Sequence, residues 1–216
     1  AFKYPDTDQY ILKDVSFTLT RNEKVALVGL NGAGKSAIVK LLLRYYDPTE
    51  GEILVNGINL KEYDLKTYRK HFSVLFQDYA NYAFTIKENI TLSNMDSRDN
   101  PERVKMALDK SGARSVADKY ETGLDTYLTR QFEEDGKELS GGEWQKIALA
   151  RTFFRDGDII ILDEPSARLD PEAEHQIFQK FDELCKGKGA IFISHRLSNV
   201  LMADRIIVLE NGRGIE

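Results

Sequence analysis

With 216 residues, 42% of them hydrophobic and 30% charged, the chain has the makeup of one large soluble globular domain, or a domain with a sub-lobe. Its formal net charge of −5 argues against general nucleic-acid binding, which needs a basic face, and no apolar run approaches the roughly 20 residues that span a bilayer. The single cysteine, Cys185, excludes an internal disulfide and reads as a small apolar residue on a helix, in a reducing compartment.

The start, Ala1-Phe2-Lys3-Tyr4-Pro5, has no initiator Met and no secretory pattern, and the chain stops just after a strand and turn. Both ends read as cut from something longer. Residues 15–19 alternate as a strand does, and residues 24–28 form a short apolar strand ending at Gly29. A helix is expected over 35–46, closed by Asp47-Pro48. A hairpin follows at 52–55, where Asn56-Gly57 accepts the positive φ angles of a type I′ turn. Residues 72–76 are another apolar strand. The stretch 77–139 is polar and reads as helical around Pro101–Ser111. Then an α/β rhythm returns: helix 140–155, buried strand 159–162, helix 171–185, and strands 190–193 and 206–209. Strands alternating with helices predict a parallel sheet covered on both faces, here interrupted by a mainly helical insertion.

Three groups of residues carry chemistry. Gly29-Leu30-Asn31-Gly32-Ala33-Gly34-Lys35-Ser36 matches the phosphate-loop pattern in full, with an apolar strand before it and a helix after it. Its glycines let successive N–H groups face a phosphate, and the helix start adds its positive dipole end. Lys35 is expected at the β/γ-phosphates and Ser36 on Mg²⁺. The second group is Asp163-Glu164, delivered by a buried strand to the carboxyl edge of the sheet, where ligands of α/β folds bind. Neighbours on a strand point to opposite sides, so the two acids are expected to differ in task. Asp163 suits Mg²⁺, directly or through water, and Glu164 suits orienting or deprotonating the attacking water. The third is Leu139-Ser140-Gly141-Gly142-Glu143, a hydroxyl and close backbone donors at a helix N-terminus, which make an anion site.

This third group resembles the LSGGQ signature of ABC ATPases, with Glu143 in the final place, and Trp144-Gln145-Lys146-Ile147-Ala148-Leu149-Ala150-Arg151 continues the family pattern into a helix. The resemblance, which covers nearly the whole chain, implies one ABC ATPase domain over residues 1–216. Its fold would be α/β: a RecA-like P-loop NTPase core, about 1–77 and 151–216, with a small antiparallel β subdomain and a helical insertion subdomain at about 78–150. It also implies that Ser140, Gly141 and Gly142 act in trans on the ATP of a second copy. By the same resemblance Gln77 is the Q-loop glutamine, reaching Mg²⁺ and the water region, and His195 is the switch histidine that bonds the γ-phosphate. Tyr4 is the aromatic that stacks on adenine, Asn31 and Ala33 belong to the nucleotide-binding loop, and Asp170 is the D-loop aspartate that contacts the other subunit. Two positions depart from the family pattern. Ala37 follows Ser36 where a Thr is common, so one hydroxyl contact to the α-phosphate is missing, and Ala167-Arg168-Leu169-Asp170 replaces the common D-loop.

The implied function is binding and hydrolysis of MgATP between two head-to-tail copies, powering transport by attached transmembrane domains at the cytoplasmic face of a bacterial inner membrane. Those domains would sit on the same chain and contact residues 77–90. No nucleic-acid partner is expected. Soluble ABC ATPases of translation or DNA repair are the alternative. The segment from Lys35 to Ser140 is too short for the coiled coils or zinc modules of the repair type, and a single cassette weakens the translation type. Phe2-Lys3-Tyr4-Pro5, Leu12-Lys13-Asp14-Val15-Ser16-Phe17 and Thr85-Ile86-Lys87-Glu88-Asn89-Ile90 resemble exporters. Phe76-Gln77-Asp78-Tyr79 with Tyr82 and Phe84 is similar to bacterial peptide, lantibiotic or multidrug exporters.

Overall fold

The computed structural model describes residues 1–170, 172–174, 181, 184–194 and 200–215, and they fall into two compact units. The first comprises Ala1–Phe72, Gly157–Asp163 and Gly187–Glu216; the second comprises Ser73–Asp156 and Glu164–Lys186.

The first unit is built on β1 (Lys24–Gly29), β5 (Ile159–Asp163), β6 (Gly189–Ile193), β7 (Arg205–Glu210) and β8 (Arg213–Ile215), in the order β5-β6-β1-β7-β8. The first four are mutually parallel and β8 closes the edge antiparallel to β7. Val25, Ala26 and Leu27 of β1, Ile160, Ile161 and Leu162 of β5 and the whole of β6 are buried, as strands covered on both faces must be. Helix α1 (Lys35–Leu42) follows β1 and buries Ala37, Ile38, Val39 and Leu41. It ends short of the expected residue 46. Arg44 has φ +51°, and the hydrogen bonds Tyr45 N–H to Lys40 O (2.8 Å) and Arg44 N–H to Leu41 O (2.9 Å) form a Schellman stop. Glycine usually takes that position; here the Arg44 guanidinium donates to the carbonyls of Leu60 (3.1 Å) and Tyr63 (3.2 Å), which offsets the left-handed backbone. The expected hairpin forms from β2 (Leu54–Val55) and β3 (Ile58–Asn59), with Asn56 at φ +51° and Gly57 at φ +81°. Helix α2 (Leu65–Lys70), capped by the Asp64 carboxylate, precedes β4 (Phe72–Leu75).

The expected strand at 15–19 does not form. Burial alternates there, with Val15, Phe17 and Leu19 half-covered and Ser16 and Thr18 exposed, but the residues carry no ladder. Period-two patterning reports which face is dry; a strand also needs a neighbour at the right height.

In the second unit, α6 (Gly141–Arg155) packs against α3 (Ile86–Thr91) and α4 (Pro101–Ser111), with α5 (Arg114–Ala117) beyond. Helix α4 has the expected limits, with Asn100 capping it and Gly112 at φ +71° stopping it. Two arginines fasten the bundle. Arg103 donates to the last carbonyls of α6, at Phe154 (2.8 Å) and Arg155 (2.9 Å), and Arg151 donates to Asn89 O (2.8 Å). The helix expected at 171–185 is helical at Glu172, Ala173, Glu174, Phe181, Leu184 and Cys185; the rest of it lies outside the described residues. Cys185 is buried with its thiol free of any disulfide. Among the described residues no helix is long and apolar enough to cross a membrane.

Candidate functional site

The phosphate loop leaves the carboxyl end of β1. Gly29 has φ +151°, and a β-carbon there would lie 2.3 Å from the Leu209 carbonyl oxygen of β7, so only glycine lets β1 run this close to its neighbour. Gly34 caps α1 at φ +110°, where a β-carbon would stand 2.4 Å from Leu12 Cδ2. No side chain caps this helix start. Its first turn is therefore left to offer backbone N–H groups and a positive dipole end to an anion. Leu30, Asn31, Gly32 and Ser36 are exposed at the loop, while Ala33 and Ala37 are buried against the core. Lys35 is 8% exposed and its ammonium donates to the carbonyls of Gly29 (2.7 Å) and Leu30 (3.0 Å), folded over the loop that a phosphate would fill.

Asp163 is buried at the end of β5, in register with Ile193 of β6, which is itself in register with Leu27 of β1. Two strand spacings, about 10 Å, separate Asp163 from β1. The carboxylate thus stands at the sheet edge from which the loop departs. Among the described residues no three His, Cys, Asp or Glu side chains gather into a metal cage. A hydroxyl at Ser36 and a carboxylate at Asp163 are the sparse hard-oxygen donors that suit Mg²⁺ completed by a nucleotide's phosphates and water.

Glu164 departs from the expectation. The pleat stops at Asp163, and Glu164 has φ +53°, so strand alternation does not set its direction. It also precedes Pro165, a context that favours extended backbone. A non-glycine residue held this way costs on the order of 1–3 kcal/mol and persists only where surroundings over-determine it.

Those surroundings lie in the second unit. Ser140 is the N-cap of α6 in a reciprocal capping box: its hydroxyl accepts from Glu143 N–H (3.3 Å), and Glu143 Oε2 accepts from Ser140 N–H (2.8 Å). Burial opposes ionisation of Glu143, but the Ser140 N–H and the Lys119 ammonium hold its carboxyl below the usual range. The glutamate in the final signature place therefore works as a cap. Ser140 and Gly141 are exposed, and Gly142 is half-covered. A β-carbon on Gly141 would meet Arg168 Cδ at 3.3 Å, and one on Gly142 would meet Arg168 O at 3.1 Å. Gln77 lies exposed in the bend directly after β4. Asp170 caps the next helix, accepting from the N–H groups of Glu172 (3.1 Å) and Ala173 (2.9 Å). His195 lies outside the described residues.

The family model described as ABC transporter matches residues 12–167, well over half the chain. This chain belongs to the ABC transporter family. It is 45% identical over 212 residues to the subtilin transport ATP-binding protein SpaT of Bacillus subtilis, covering 98% of this chain and 34% of that protein. It is 42% identical to the nisin transport ATP-binding protein NisT of Lactococcus lactis subsp. lactis (99% and 35%) and 39% identical to an ATP-dependent lipid A-core flippase of Alcanivorax borkumensis (100% and 36%). A bacterial Atm1-family ABC exporter with ATP bound superposes with a TM-score of 0.89 at 32% identity, over 99% of this chain and 36% of that one. The chain thus spans about a third of the length of the curated relatives it matches. The α/β fold is that of an ABC ATPase, and a soluble non-transport type is not favoured.

Two features of this ABC cassette escaped the sequence reading. Gln145, one turn into α6, is 1% exposed; its Nε2 donates to Glu164 O (3.2 Å) and its Oε1 accepts from Arg168 N–H (2.7 Å). Arg168, the unusual D-loop residue, places its guanidinium carbon 5.2 Å from the Tyr79 ring centroid, and the Tyr79 hydroxyl donates to Gly141 O (3.3 Å). Burial raises the Tyr79 phenol above its ordinary pKa, against the opposing pull of the Arg168 charge. The signal for Gln145 was a long polar side chain one turn into a helix whose buried residues are mostly apolar. In the first unit, Tyr4 is half-buried, edge-packed on Phe2 (5.0 Å) and Tyr46 (5.2 Å), with the Lys40 ammonium 5.3 Å from its ring centroid.

Proposed function

We propose that the chain binds and hydrolyses MgATP and thereby powers export across a bacterial plasma membrane, working at its cytoplasmic face with transmembrane domains. The observation that carries this reading is the phosphate loop, with its uncapped helix start, its buried Lys35, and Gly29 and Gly34 at positions that admit no side chain. In this reading Gly29, Asn31, Gly32, Ala33, Gly34, Lys35, Ser36 and Ala37 cradle the triphosphate, and Tyr4 stacks on the adenine. Ser36, Asp163 and Gln77 hold Mg²⁺, which when bound neutralises charge on the β- and γ-phosphates. Glu164 orients or deprotonates the attacking water, and His195 bonds the γ-phosphate.

Ser140, Gly141, Gly142 and Asp170 serve a second copy of the chain, giving two head-to-tail nucleotide sites. Residues 77–90 meet the transmembrane domain. Relatives named for subtilin and nisin transport match at 45% and 42%, against 39% for the flippase, which favours cargo of the kind those first two names give.

Equilibrium binding of a fluorescent ATP analogue tests the loop: Lys35→Ala should lose the analogue by tenfold or more, about 1.4 kcal/mol, and equal affinity would sink the reading. Sizing with ATP tests the pairing. Glu164→Gln should run as a dimer, and Ser140→Arg in that background should stay monomeric. A dimer indifferent to Ser140→Arg would overturn the trans arrangement.

A further inference from the structure

Gln145 lies outside the signature pentapeptide and far from the acids in sequence, yet it sits on the helix that the signature starts and its side chain bonds at Glu164 and Arg168. One amide group spans the segment from Glu164 to Arg168: it donates to the carbonyl at one end and accepts from the N–H at the other. Inside that span, Ala167 N–H also donates to Glu164 O (3.2 Å), so the Glu164 carbonyl is held from two directions. Leu169 N–H closes a second turn on Ser166 O (3.1 Å). The clamp is dry, because Gln145 is 1% exposed, and it is rooted on a helix whose capped start presents Ser140 and Gly141 to solvent.

We propose that Gln145 is a positioning residue: it fixes the left-handed turn at Glu164 and mechanically couples that residue to the signature end of the same helix. The proposal rests on the ATPase reading above. In that reading Glu164 serves the chain's own nucleotide and Ser140 serves the partner's, so one buried amide ties the two sites together within each copy. A shift of α6 on signature engagement moves Gln145, and with it the backbone that aims Glu164. A glutamine is required because the span needs a donor and an acceptor on one side chain; a carboxylate or a thioether supplies at most one of them.

The test uses the purified chain and two substitutions. Gln145→Met keeps length and burial and removes both hydrogen bonds. It should lower kcat by about tenfold or more while the affinity for a fluorescent ATP analogue stays within about threefold. Gln145→Glu keeps an acceptor for Arg168 N–H but loses the donor towards Glu164 O when ionised. Burial raises the pKa of an introduced carboxyl, and its protonated form donates again. Activity of Gln145→Glu relative to the parent should therefore climb as pH falls from about 8 to about 6, which a purely space-filling role would not produce. Hydrogen exchange at the Glu164–Arg168 segment reads the clamp without hydrolysis and should quicken in Gln145→Met. Hydrolysis that is missing from the parent or survives Lys35→Ala would sink the functional reading alone. Unchanged exchange and a kcat within about twofold in Gln145→Met, or a flat pH ratio in Gln145→Glu, would overturn the clamp.

Discussion

The chain carries two glycine-rich motifs, and the structure uses the glycines of each for a different physical end. In the phosphate loop Gly29, Gly32 and Gly34 have φ of +151°, +81° and +110°, so the backbone itself needs residues without a β-carbon. In the signature, Gly141 and Gly142 are ordinary helical residues. Their requirement is space, because the Arg168 segment lies where side chains would be. The first motif shapes a chain around an anion; the second lets another segment approach a helix start. One-letter patterns that look alike thus predict unlike mutational costs.

The largest expected effect falls on the first motif. Gly29→Ala adds a β-carbon 2.3 Å from a backbone oxygen that cannot swing aside, at a positive φ, and should cost about 3 kcal/mol or more in urea unfolding. Gly32→Ala, which meets nothing within 4 Å, should cost only about 1 kcal/mol from its φ of +81°. Equal losses for the two would show that strain, and not close approach to Leu209, governs Gly29.

In the second motif the neighbour's softness decides the sign. Gly142→Ala presses on the Arg168 carbonyl oxygen at 3.1 Å and should destabilise by about 1 kcal/mol even after the helical gain of alanine over glycine. Gly141→Ala meets only the Arg168 side chain at 3.3 Å, which can yield, so its unfolding free energy should stay within about 0.5 kcal/mol of the parent. A large loss for Gly141→Ala would mean that the Arg168–Tyr79 contact is rigid.

The smallest effect concerns the signature cap. The Glu143 carboxyl has its folded pKa below the ordinary 4.5, so its contribution is present above that value and fades as pH falls through the folded pKa. Parent and Glu143→Gln should differ by a few tenths of a kcal/mol at neutral pH and converge in acid. A difference that widens in acid would remove Glu143 from the capping box.

What could be read in the sequence was what near neighbours decide. The strand, glycine loop and helix start around Lys35 are contiguous, and the Asn100 cap, Gly112 stop and Asn56-Gly57 turn each act within a few residues. Tertiary structure decided the rest. Residues 15–19 kept their alternation and gained no ladder, because pairing depends on a neighbour remote in sequence. Helix α1 stopped at Leu42 because Arg44 found the carbonyls of Leu60 and Tyr63. Glu164 turned out of the strand into a left-handed bend, held by the amide of Gln145, 19 positions earlier in the chain. Periodicity records burial and local torsion. It carries no record of which distant donor a buried carbonyl will meet, and at Glu164 that distant donor sets the backbone of a proposed catalytic group.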